Sequence, residues 1–163
     1  EMTKNFFYYF AYGSNLLEER IHVQIKGAVF HCIGRLRHYE LFFAGESDRW
    51  KGAAASIRHK DNDEVWGCVW KVPNSFLAEL DAQEHWYDRK KVDVETEEGI
   101  VPCTTYEMKG SIENRPSPHY KAVIVNGAKE HSLPSHYIQR LEDIKENGYT
   151  GQVDVPISFL SSL

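Results

Sequence analysis

Residues 6–12 read FFYYFAY, an aromatic run of the kind that fills strands. It breaks at Gly13-Ser14-Asn15 and turns apolar again at Leu16-Leu17. The pattern predicts a strand over 6–12, a turn, and a short helix over 16–21. Residues 27–44 are rich in aliphatic and aromatic side chains around Gly34, which predicts one long bent strand or two strands. Residues 52–57 are small and apolar and read as a further strand. In EVWGCVWKV, residues 64–72, both alternating faces are largely apolar, as in a central strand covered on two sides. Pro73-Asn74-Ser75 then punctuates the chain, with Asn74 or Ser75 as N-cap of a short helix over 76–84. Residues 87–95 and 100–108 alternate like a strand pair around Glu97-Glu98-Gly99. A helix from Ser117 or His119 carries Tyr120, Val123, Ile124, Gly127 and Ala128 on one face. A second helix is expected over 135–146, with Ile138, Leu141 and Ile144 as its stripe and Asn147-Gly148 as its stop. Many strands, few short helices and no regular βαβ alternation predict an α+β fold, a small mixed β-barrel with flanking short helices.

Composition narrows the class. With 163 residues, one domain over 2–163 is the default reading. A net charge of −5 with scattered basic residues, the longest cluster being Arg89-Lys90-Lys91, argues against a nucleic-acid partner. Three distant cysteines, Cys32, Cys68 and Cys103, do not make a disulfide framework, and they point to a cytoplasmic location. No apolar run is long enough to span a membrane, and no signal-peptide pattern opens the chain.

The search for chemistry eliminates several classes. The eight histidines form no zinc-type spacing, so no metal is expected, and no glycine-rich phosphate loop implies a nucleotide cofactor. Ser14 in YGSN does not match the GxSxG nucleophile elbow. Cys103 in VPCTTY reads as strand core. One carboxylate stands out. At about 100° per residue, Glu84 falls on the stripe of Phe76, Leu77 and Leu80, whereas Glu79 points away. A carboxyl group on a core-facing stripe at a helix C-terminal end has its charged form disfavoured by burial and by the dipole. That is the tuning a general acid/base needs. If the helix stopped before Glu84, the carboxylate would instead be an ordinary solvated one. Tyr120, leading the apolar face of its helix after Pro116-Ser117-Pro118, is either core or a hydroxyl aimed into a cleft.

These blocks, taken in order, resemble the γ-glutamylcyclotransferase family, in particular its branch acting on free γ-glutamyl-amino acids. The resemblance is carried by YFAYGSNL, EVWGCVW, LDAQE, SPHYK, GAKEHSLP and YTG, and spans nearly the whole chain from Phe7 to Gly151. It implies a homodimer-forming, cofactor-independent enzyme that cyclises the glutamyl unit to 5-oxoproline and releases the amino acid. It places the catalytic role on Glu84 and substrate binding on Tyr9, Phe10, Ala11, Tyr12, Gly13 and Ser14, with Asn15 adjoining, and on Tyr120 and Tyr87. In that chemistry the substrate's own α-amino group attacks the side-chain amide carbonyl. Glu84 would take its proton and pass it to the leaving amine, so no Ser or Cys nucleophile is needed. Backbone amides around 13–15 would bind either the oxyanion or the α-carboxylate. One departure concerns the loop after Glu84. Close relatives place Gly next and have several more residues before the tyrosine, whereas here Glu84-His85-Trp86-Tyr87 is shorter. The alternatives are the same reaction on glutathione or γ-glutamylamines, and a non-catalytic binding protein of the same fold.

Overall fold

A computed structural model describes residues 5–163, so residues 2–4 of the expected domain lie outside the described residues. Five strands form a closed barrel: β1 (Phe6–Ala11), β2 (Val29–Ser47), β3 (Gly52–Pro73), β4 (Asp88–Thr96) and β5 (Gly99–Glu107). Their order round the barrel is β1-β3-β2-β4-β5. Neighbours are antiparallel except for the closing pair, where β1 meets β5 in parallel at Tyr9 and Thr104. The α+β barrel with short flanking helices is therefore as expected.

One expected break is absent. The strands anticipated over 52–57 and 64–72 are one 22-residue strand. The polar KDND stretch between them is absorbed as an irregularity. The ladder steps from Arg37–Glu64 to Tyr39–His59, and His38 and Asn62 take left-handed angles there, with the Asn62 amide donating to His38 Nδ1 at 3.2 Å. β2 is likewise one 19-residue strand, and Arg35 pairs with both β3 and β4. Glu97-Glu98 forms the two-residue connection between β4 and β5.

The helices depart from expectation mainly at their ends. The segment after the YGSN turn is a 3-10 turn, Ser14–Leu16, followed by α1 (Glu18–Ile21). Asn74–Phe76 is a 3-10 turn leading into α2 (Leu77–Gln83), and neither Asn74 nor Ser75 caps the helix. In α3 (Pro118–Glu130) the expected start holds: Ser117 Oγ accepts from the Tyr120 amide at 3.1 Å, and Pro118 opens the first turn. The last helix, α4 (Ser135–Glu142), stops well before Asn147-Gly148. Lys121 Nζ donates to the Glu142 carbonyl at 2.6 Å and to the Ile144 carbonyl at 2.7 Å, satisfying the helix end there. Asn147 is used elsewhere, its side chain donating to the Lys51 carbonyl at 2.8 Å.

The core couples barrel and helices. The buried face of α3 packs on the 3-10 turn after β1. A Cβ placed on Gly127 would lie 2.6 Å from Leu16 Cβ and 2.6 Å from the Leu17 amide nitrogen, so only glycine admits this approach. The three cysteines are unpaired, and burial pushes the Cys103 thiol up to about 12. No helix among the described residues is long and apolar enough to cross a membrane.

Candidate active site

β1 ends at Ala11, paired with Cys68, so the first half of β3 continues without β1 beside it. On its other side that half pairs with β2, Phe43 opposite Ala55. The Phe43 carbonyl instead accepts from the Asn114 amide at 3.1 Å, which leaves the polar groups of Ala55 facing away from β2. A cavity of about 360 Å³ opens along this uncovered edge. It lies within the size range of small-molecule sites. Its walls come from the end of β1, the 13–15 turn, the β2–β3 turn, the end of α2 and the start of α3.

Tyrosines occupy the exposed edge of β3. Tyr120 Oη accepts from the Ala55 amide at 2.9 Å, and Tyr87 Oη donates to the Ala55 carbonyl at 2.7 Å. Tyr12 Oη donates to the Tyr106 carbonyl at 2.5 Å, and Tyr106 Oη donates to Asp81 Oδ1 at 2.6 Å. Burial first, and the nearby Glu84 carboxylate in addition, push the Tyr9, Tyr12 and Tyr87 hydroxyls well above the usual tyrosine range. These hydroxyls therefore stay protonated and act as hydrogen-bonding walls.

Glu84 sits just past the last helical residue of α2, its amide still bonded to the Leu80 carbonyl at 3.0 Å. The helix thus does stop before Glu84, but the carboxyl group is not an ordinary solvated one. It faces the cavity among Tyr9, Tyr12 and Tyr120. Solvent reaches the residue in part through the cavity mouth, yet protein surrounds the carboxyl group closely enough that loss of hydration pushes its pKa up to about 7; the Arg20 guanidinium opposes the rise. The direction is the one expected from the stripe, and burial is its main cause.

Asn15 ties the turn to this helix. Its side-chain amide donates to Tyr9 Oη at 3.1 Å, its side-chain oxygen accepts from Gln83 Nε2 at 3.2 Å, and its carbonyl accepts from Trp70 Nε1 at 3.0 Å. Gly13 stands against Tyr120: an added Cβ would lie 3.4 Å from the hydroxyl and 3.3 Å from Ala55 Cβ.

Of the residues singled out in the sequence, Tyr9, Tyr12, Gly13, Ser14, Asn15, Glu84, Tyr87 and Tyr120 all line the cavity. Phe10 and Ala11 do not; both are buried in the core. Successive strand residues point to opposite faces, so Phe10 turns away from the side on which Tyr9 reaches the cavity. The shortened loop does border the cavity, with His85 and Trp86 exposed at its rim. Several lining residues were not singled out, chiefly Arg20, Trp50 and Tyr106. The stripe test that found Glu84 would also have found Arg20, which lies three residues from Leu17 and four from Leu16. Trp50, in the turn between β2 and β3, gave no periodic signal. No group of three or more His, Cys, Asp or Glu residues able to hold a metal ion occurs among the described residues.

Comparison with known proteins gives the same answer from another direction. The chain is 44% identical to the γ-glutamylcyclotransferases of Bos taurus and Homo sapiens over 160 residues, covering 93% of this chain and 85% of each relative. The chain belongs to the γ-glutamylcyclotransferase family. A solved γ-glutamyl cyclotransferase superposes with a TM-score of 0.90 at 43% identity, over 91% of this chain and 94% of that one. The AIG2-like family profile matches residues 64–141. That span runs from β3 to α4 and holds Glu84, Tyr87 and Tyr120. The YGSN turn of this γ-glutamylcyclotransferase-family chain lies outside it.

Proposed function

We propose that the protein converts γ-glutamyl-amino acids to 5-oxoproline and the free amino acid, with Glu84 as general acid/base. The observation that carries this reading is the closely surrounded carboxyl group of Glu84, with its pKa pushed up to about 7, facing a cavity walled by neutral tyrosines. A group poised near neutrality can both accept and return a proton. The α-amino nitrogen of a bound glutamyl unit attacks the γ-carbonyl carbon, the C–N bond to the leaving amino acid breaks, and Glu84 carries the proton from the attacking to the departing nitrogen. The substrate supplies its own nucleophile, in keeping with a cavity lined by no cysteine among the described residues. Holding the glutamyl chain folded supplies the entropy that ring closure needs. Amides of the 13–15 turn, where Gly13 allows close approach, are placed to receive an anion. Tyr120, whose oxygen is already engaged by the Ala55 amide, keeps its proton to donate into the cavity. The same reading extends to a cytoplasmic homodimer that needs no cofactor.

The test is a panel of γ-glutamyl-amino acids, glutathione and a γ-glutamylamine, with 5-oxoproline or free amine measured for wild type and Glu84→Gln. Product from wild type alone on the dipeptides supports the reading. Product from a folded Glu84→Gln at a comparable rate removes Glu84 from the mechanism, and no product from any substrate removes the activity.

A further inference from the structure

Arg20 is 4% exposed, yet its Nε and Nη1 have no hydrogen-bond partner among the described residues. It lines the cavity, its guanidinium lies 5.8 Å from the Trp50 ring centroid, and it interacts electrostatically with Glu84, Tyr9 and Tyr120. A buried guanidinium with idle donors is costly unless an anion completes it. Glu84 does not do so: no hydrogen bond or ion pair joins the two, and the carboxyl group is partly protonated near neutrality. Burial lowers the Arg20 pKa, but an arginine remains charged across the working range.

We infer that Arg20 is the anchor for the α-carboxylate of the γ-glutamyl unit, an assignment that rests on the cyclotransferase reading above. The α-carboxylate shares its carbon with the α-amino nitrogen that must reach Glu84, so the two groups have to be received side by side. Arg20 and Glu84 are the cation and the base that line the same cavity and sense each other's charge. A guanidinium fork matches a carboxylate in two parallel bonds, which fixes rotation as well as position. The second carboxylate of the substrate, on the leaving amino acid, belongs elsewhere. That half of the molecule varies between substrates and must depart, and the cavity rim carries the exposed Arg49 and Trp86. With Arg20 on the α-carboxylate, the amides of the 13–15 turn are left for the oxyanion.

The experiment compares kcat/KM for γ-glutamyl-alanine, for the same dipeptide with its α-carboxylate converted to a carboxamide, and for the dipeptide with only the alanine carboxylate amidated. Wild type, Arg20→Met and Arg20→Lys are measured. Wild type should prefer the α-carboxylate over the α-carboxamide by about 100-fold or more, as sites with buried donors do. Arg20→Met should lose most of that preference, falling on the carboxylate substrate far more than on the carboxamide. Arg20→Lys, with the charge and without the fork, should lie between, and it decides the matter if Arg20→Met does not fold. The penalty for amidating the alanine carboxylate should be the same in all three proteins. An equal loss on both α-forms would make Arg20 merely structural and overturn the assignment. So would a loss of discrimination at the alanine carboxylate instead. If wild type turns over none of the three substrates, the cyclotransferase reading itself has failed; if it turns over γ-glutamyl-alanine and Arg20→Met keeps the α-preference, only the Arg20 assignment has.

Discussion

The Ala55 amide donates to Tyr120 Oη at 2.9 Å, a barrel strand handing its idle backbone donor to a helix side chain. The contact exists because β1 ends early and leaves this edge of β3 uncovered. Tyr120→Phe keeps the ring but leaves a buried N–H unsatisfied, which costs about 1–3 kcal/mol. Chemical denaturation should show a lower midpoint with an unchanged slope. Turnover should fall more than stability requires, because the hydroxyl that faces the cavity is gone. Full activity in a destabilised Tyr120→Phe would confine this tyrosine to a structural role.

The pH behaviour of Glu84 gives a second prediction. Its pKa in the folded protein is about 7, above the ordinary glutamate value of 4.5. Since the base form must accept the substrate proton, kcat/KM should rise through a single ionisation near pH 7. His85→Gln, a change at the exposed rim, should keep the same limb. Arg20 favours ionised Glu84, and a Met in its place should move the limb to higher pH.

The same shift makes a stability prediction of opposite appearance. The folded state favours protonated Glu84, so its contribution is fully present below pH 4.5 and is lost as pH rises through 7. Glu84→Gln has no charge to bury. It should therefore match wild type in acid and become more stable than wild type above pH 7, by at most about 3 kcal/mol. Thermal unfolding of both proteins at pH 5 and pH 8 measures the difference. A mutant that is less stable at pH 8 would mean that the carboxylate is solvated after all.

The barrel and most of the cavity wall were legible because each rests on short-range pattern. β1 is an aromatic run, β4 and β5 alternate about a turn, and Glu84 sits on an apolar stripe. What was not legible depends on pairing between distant segments. The KDND stretch lies between the two strands expected there, and only its ladder with β2 reveals one continuous strand. The end of α4 is decided by Lys121, on another helix, rather than by the glycine that follows. Trp50 reaches the cavity from the turn between β2 and β3, and nothing in its sequence neighbours announces that. Arg20 was within reach of the stripe argument, but its lack of partners is visible only once the cavity is built.

Asn15 should act on catalysis through the residues it ties together. It joins Tyr9 on β1 to Gln83, the residue before Glu84. Asn15→Ala removes both bonds and frees the end of α2 relative to the turn. A misplacement of about 1 Å can cost on the order of 100-fold in rate. The expected signature is a 10- to 100-fold lower kcat with KM changed little, since such a range is typical of lost positioning. A change in KM alone would instead assign Asn15 to substrate contact.

Gly127 lies on α3, away from the cavity lining, yet it should control the same site. Its missing side chain is what lets α3 lie on Leu16 and Leu17, where a Cβ would approach to 2.6 Å. Neither contact can yield cheaply: one is to the backbone, and the other is to the first carbon of a buried side chain. Gly127→Ala should gain a few tenths to 1 kcal/mol in helix propensity and lose about 1–3 kcal/mol to overpacking. The strain falls on the turn that carries Gly13, Ser14 and Asn15, so activity should drop even at temperatures where the protein is fully folded. Asn126→Ala, one residue away on the exposed face, should leave both stability and rate near wild type. Equal effects of the two substitutions would show that the helix, rather than its closeness to the turn, sets the geometry of the site.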